Sequence, residues 1–88
     1  MAVLELYGSA QCQYTHELRD WLEWTGSDFR EYDVEADPEA SARMVALSGG
    51  GRSVPVLVED GRVIQVGWQG RSCIVSAGYG LGAENQSR

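Results

Sequence analysis

The chain has 88 residues, 13 acidic against 7 basic for a net charge of −6, and an apolar share of 43% that includes three Trp and four Tyr. A chain of this length builds one domain around one core, and this apolar and aromatic content excludes a disordered polymer. The acidic balance and the absence of a basic stripe argue against nucleic acid as a partner, and no stretch approaches the length of a membrane span.

Val3-Leu4-Glu5-Leu6-Tyr7 reads as a buried strand stopped by Gly8. From Gln13 to Thr25, Tyr14, Leu18, Trp21 and Leu22 recur at helical spacing, with Glu17, Arg19, Asp20 and Glu23 on other faces and Gly26 as the stop. Phe29 to Val34 alternates apolar and charged residues and reads as a second strand. Asp37-Pro38-Glu39 is a helix start, with an acid at the N-cap and Pro at the first helical position. That helix carries Met44, Val45 and Leu47 and breaks at Gly49-Gly50-Gly51.

Val54 to Val58 and Arg62 to Val66 flank Glu59-Asp60-Gly61, a hairpin signal. Gly67 to Val75 is read as a short final helix, against which Gly67 and Gly70 weigh. The sequence divides into one domain over 1–75 and a flexible C-terminal tail over 76–88. The order βαβαββ, with that final helix, is an α/β arrangement. Its first two strands are parallel through a right-handed crossover, the last two form a hairpin, and together they give a four-stranded mixed sheet flanked by helices.

Cys12 lies where the first strand has ended and the first helix begins. A helix N-terminus offers unpaired N–H groups and the positive end of the dipole, and both favour thiolate, the reactive form, over thiol. Thiol chemistry at Cys12 therefore leads, against an inert buried thiol. Cys12 and Cys73 match no zinc spacing, and His16 adds one ligand at most, so no metal is expected. Met1-Ala2-Val3-Leu4-Glu5 has neither the basic start nor the apolar run of a secretion signal, which leads to the expectation of a cytoplasmic protein whose thiols are mainly reduced. A monomer is expected.

A strand, then Tyr7-Gly8-x-x-x-Cys12-x-Tyr14-Thr15 at a helix start, then Ser53-Val54-Pro55 opening a hairpin, resembles the glutaredoxin branch of the thioredoxin-like fold over about residues 3 to 73. The resemblance implies a thiol–disulfide oxidoreductase, with Cys12 as nucleophile and a cis Pro55 whose turn presents backbone to the cysteine of glutathione or of a peptide. Cis bonds are essentially confined to X–Pro, and the missing N–H leaves this edge open to an incoming strand. Glutathione is then a co-substrate, and the partners are glutathione or a disulfide-bearing protein. The candidate site comprises Cys12 and Cys73 as catalytic residues, with Tyr14, Thr15, Arg52, Ser53, Val54, Pro55 and Trp68 around the substrate.

The chain departs from the family pattern in several places. Thr15 stands where many members carry a second Cys, Gln13 where Pro is usual, and Ser9-Ala10-Gln11 lacks the Lys that assists glutathione binding. Gly67-Trp68-Gln69-Gly70-Arg71-Ser72 replaces the Gly-Gly-x-Asp that holds the far end of glutathione; its Trp68-x-Gly70 is similar to the glutaredoxin-like electron donors of ribonucleotide reductase. The chain also resembles small bacterial glutaredoxin-like proteins that end shortly after a Cys or selenocysteine.

Each residue has a plainer reading. Cys73 either resolves a mixed disulfide or fills space under the last segment; Gly67 to Cys73 leaves from the same end of the sheet as Cys12, and six residues at ~3.3 Å each cover about 20 Å, enough to return across that edge. Arg52 either lowers the Cys12 pKa or is a solvated loop cation. Thr15 either donates to the Cys12 thiolate or makes a contact within the helix. His16 either reaches the Cys12 sulfur or is an exposed helix residue, and Trp68 either forms a partner platform or packs. The rival to an oxidoreductase is a redox-inactive module that uses the same groove for a partner peptide, or for a glutathione-linked iron–sulfur cluster ligated by Cys12.

Overall fold

The computed structural model describes residues 3–75. The tail over 76–88 lies outside the described residues. The elements in chain order are β1 (Leu4–Gly8), α1 (Gln13–Trp24), β2 (Phe29–Asp33), α2 (Pro38–Leu47), β3 (Ser53–Val54), β4 (Val56–Glu59), β5 (Arg62–Val66) and β6 (Cys73–Ile74).

Four strands form a mixed sheet in the order β2-β1-β4-β5. β1 and β2 run parallel, with Tyr7 opposite Tyr32, as a crossover helix demands. β4 lies antiparallel to β1 and to β5, and the Asp60-Gly61 turn joins β4 to β5 with positive φ at both residues. This is the expected thioredoxin-like α/β architecture. Among the described residues, no helix is long and apolar enough to cross a membrane.

Alternation along β1 and β4 divides the core between the two faces of the sheet. On one face Leu6 and Leu57 bury against Leu18 and Leu22 of α1. On the other, Tyr7, Val56 and Val58 bury against Ala40 and Met44 of α2, in a cluster that also holds Cys12, Val54 and Val75. Burying one such large apolar side chain stabilises by about 1.5–3 kcal/mol. α2 is anchored at its start by Asp37, whose carboxylate accepts from the amides of Glu39 at 3.0 Å and Ala40 at 3.2 Å.

Two expectations need correction. The segment read as a single strand from Val54 to Val58 is divided at Pro55: Ser53–Val54 belongs to a separate two-stranded sheet, and Val56–Glu59 to the main one. Proline has no N–H to offer a ladder, so the chain can change partners there. The expected helix over Gly67 to Val75 is instead a tight hairpin followed by β6. Trp68 and Arg71 exchange backbone hydrogen bonds of 2.7 and 2.9 Å around Gln69 and Gly70. Both of those residues have positive φ, 53° and 80°, as a two-residue hairpin turn requires and a helix forbids.

Candidate active site

β1 ends at Gly8, and Ser9 to Cys12 turn into α1. The turn is closed by the Cys12 amide donating to the Ser9 carbonyl at 3.0 Å. Buried Ser9 braces it: its hydroxyl oxygen accepts from the Gln11 amide at 3.0 Å, and the hydroxyl donates to Glu35. Cys12 occupies the N-cap of α1 with extended backbone dihedrals, no side chain caps the helix, and the first turn contains no acidic residue. The free amides of that turn are thus open to the position where Ser, Thr or Asp usually supplies an oxygen. A sulfur anion there meets the same donors and the positive end of the dipole.

Gly8 makes this approach possible. A Cβ at Gly8 would stand 2.2 Å from Cγ2 of Thr15, so the helix start packs directly on backbone. Thr15 is 1% exposed, and its hydroxyl oxygen accepts from the Ser9 amide at 3.3 Å. It therefore lies beneath the loop that carries Cys12, clamping that loop to the helix, where the sequence reading set it around the substrate.

Cys12 and Cys73 are joined in a disulfide, with their Cα atoms 6.0 Å apart. Cys73 is held there by more than the sulfur. β6 pairs antiparallel with β3, Cys73 opposite Val54 and Ile74 opposite Ser53, and the Val75 amide donates to the Arg52 carbonyl at 2.9 Å. The Val54–Pro55 peptide bond is cis. The Cys12 sulfur lies 3.9 Å from the Val54 carbonyl oxygen, a contact without a proton while both cysteines are oxidised. Cys12 keeps 1% of its surface, whereas Cys73 is half-buried.

The remaining candidates divide. Half-buried Tyr14 packs on the cluster that contains Cys12, Ser53 and Val54 form the edge that β6 occupies, and the Pro55 carbonyl accepts from the Gly67 amide. Arg52 is exposed and contributes its backbone carbonyl. Trp68 packs on the α1 face with its ring 5.8 Å from that of Trp21, in the cluster that does not contain Cys12. The His16 ring is engaged by partners other than the sulfur: Nδ1 pairs with the Arg19 guanidinium, and Nε2 lies 2.9 Å from the Ala10 carbonyl oxygen. A cavity of about 310 Å³ adjoins it, lined by Ser9, His16, Arg19, Glu31 and Asp33 and by neither cysteine.

Sequence reasoning missed Val75, Ser9 and the Gln69-Gly70 turn. Val75 is 4% exposed and secures β6 in the core; at the end of a Gly-rich stretch it belongs to no apolar period that could announce it. Ser9 carried a turn signal, a hydroxyl two residues before the amide it accepts from. Gly70 was the sign of the turn.

A family model described as Glutaredoxin matches residues 4–64. The matched segment holds Cys12 and Ser53-Val54-Pro55 and ends before Trp68 and Cys73. A comparison with curated proteins finds no match.

Proposed function

The chain belongs to the glutaredoxin family, and from that premise we propose that it is a two-cysteine thiol–disulfide oxidoreductase in which Cys12 attacks and Cys73 resolves. Membership supports thiol–disulfide chemistry in general; the roles of the two cysteines are our reading. The observation that carries it is the bond between Cys12, at an uncapped helix N-terminus, and Cys73, paired to the strand before Pro55.

In the forward half-cycle the Cys12 thiolate attacks one sulfur of a substrate disulfide. The S–S bond breaks, a Cys12–substrate mixed disulfide forms, and the other substrate sulfur leaves as thiolate. The Cys73 thiolate then attacks the Cys12 sulfur, releasing the second substrate thiolate and closing the Cys12–Cys73 disulfide. The substrate gains two electrons, and the enzyme's dithiol supplies them. The amides at the start of α1 stabilise Cys12 whenever it carries the charge. The substrate is a disulfide-bearing protein or a glutathione mixed disulfide, two molecules of glutathione restore the dithiol, and the reducing cytoplasm is the compartment in which that return step runs.

The test is to treat reduced protein with oxidised glutathione and weigh it intact, alongside Cys73→Ser and Cys12→Ser. The expected result is loss of two hydrogens in the wild type, one stable glutathione adduct in Cys73→Ser, and no turnover in Cys12→Ser. One stable adduct on the wild type would overturn Cys73 as resolver. An unreactive Cys12 would overturn the enzyme and favour a module that only binds.

A further inference from the structure

The two sulfurs of the disulfide are unequal, and the inequality gives the return half-cycle a direction. We propose that a small thiol reduces the oxidised protein by attacking Cys73, with Cys12 departing as the thiolate.

Three independent features favour this order. The first is access: Cys12 keeps 1% of its surface, enclosed with Tyr7, Val34 and Val54 in one buried cluster, whereas Cys73 is half-buried at the edge of that cluster. The second is the leaving group. Exchange is faster when the departing sulfur is the better stabilised anion, and of the two cysteines only Cys12 stands at the N-cap of a helix whose first amides lack a side-chain partner. The third is the occupied edge. A peptide reaching Cys12 by pairing with Val54 finds that backbone already paired with Cys73, and the Arg52 carbonyl already paired with the Val75 amide.

The oxidised protein thus carries its own C-terminal segment where a substrate strand would lie. Any thiol that would reach Cys12 by pairing with Val54, glutathione included, is shut out until β6 leaves, whereas attack on the half-buried Cys73 requires no pairing at Val54. The chemistry balances in two steps. One thiolate forms a bond to the Cys73 sulfur as the Cys12–Cys73 bond breaks and Cys12 takes the electron pair. A second thiolate then attacks the thiol's own sulfur in that adduct, giving the oxidised small thiol and a Cys73 thiolate. Both cysteines end reduced.

The inference rests on the oxidoreductase reading, yet its test is separate from turnover. Oxidised full-length protein is mixed with reduced glutathione, quenched in acid at the earliest times, alkylated at its free thiols and mapped by mass spectrometry. Glutathione is expected on Cys73 and the alkyl group on Cys12, exceeding the reverse pattern by about tenfold, the ratio set by a barrier difference of about 1.4 kcal/mol. Glutathione mainly on Cys12, or evenly on both, would overturn the proposal. So would a disulfide that yields to a phosphine but gives no glutathione adduct. A protein that forms the Cys73 adduct but reduces no disulfide substrate would overturn the enzyme reading instead.

Discussion

Val54 and Cys73 face one another across an antiparallel pair, so the buried residue before the cis proline presents its main chain to the protein's own second cysteine. The same cysteine is bonded to Cys12. One short strand therefore satisfies both the backbone and the sulfur of the site, and it does so from a part of the chain that the family match does not reach.

The disulfide spans a sequence separation of 61. In chain-entropy terms a loop of that size stabilises the oxidised protein by about 4 kcal/mol. Urea unfolding with and without reductant should show that difference in the wild type and none in Cys73→Ser. Equal midpoints for oxidised and reduced wild type would mean the bond does not constrain the unfolded chain.

Gly8→Ala forces a methyl group against Thr15, where the ideal Cβ would lie 2.2 Å from Cγ2. Overpacking of this kind costs about 1–3 kcal/mol. The helix start has to shift, carrying Cys12 with it, so alkylation of reduced Cys12 should change as well as the denaturation midpoint. Adding Thr15→Ala should recover part of the stability, because the two residues share one contact. Strictly additive losses would contradict the packing described.

Gly70→Val acts on the turn alone. Gly70 has φ of 80° and an open environment for a Cβ, so the penalty is conformational. A left-handed β-branched residue costs about 1–2 kcal/mol, which lowers the equilibrium constant for closing the disulfide roughly five- to thirtyfold. Titration against a glutathione redox buffer reads that shift directly. An unchanged constant would show that the turn does not deliver Cys73.

Tyr7 predicts a pH dependence that does not involve titration of a cysteine. Burial raises its pKa from the ordinary 10.0, while its hydroxyl donates to Glu5 at 3.1 Å and accepts from Arg43 at 3.2 Å. An acid whose folded pKa exceeds its unfolded value holds its proton longer in the native state, so its contribution is complete below the unfolded pKa and is lost as pH rises through the folded one. Stability should therefore fall above pH 10 in the wild type. Tyr7→Phe should be less stable at neutral pH and should lack that decline; a parallel decline in the variant would assign it to other groups.

The legible parts of the fold were those that local chemistry decides. Asp37-Pro38 announced a cap that the structure makes with two hydrogen bonds, Asp60-Gly61 announced a turn with both φ values positive, and the end of β1 placed Cys12 at a helix start. The illegible parts depend on distant partners. Gln69 gives no hint that it will adopt positive φ, and Cys73–Ile74 is a strand because Ser53–Val54 lies beside it. Neither of the two sequence readings of Thr15 includes the contact it makes, because that contact depends on the space left by Gly8 and on the amide of Ser9 in the loop before the helix.

The Trp68–Arg71 hairpin has a kinetic consequence. The Gly67 amide is pinned to the Pro55 carbonyl at 2.7 Å, so Cys73 hangs from a tether whose near end is fixed beside the site and whose middle is folded back on itself. A thiol on so short a leash acts at an effective concentration of millimolar order, whatever thiols surround the protein. On the proposed cycle, a partner caught on Cys12 would be released on a clock set by the tether, and a small thiol would have to be present at comparable concentration to intervene before the strand returns.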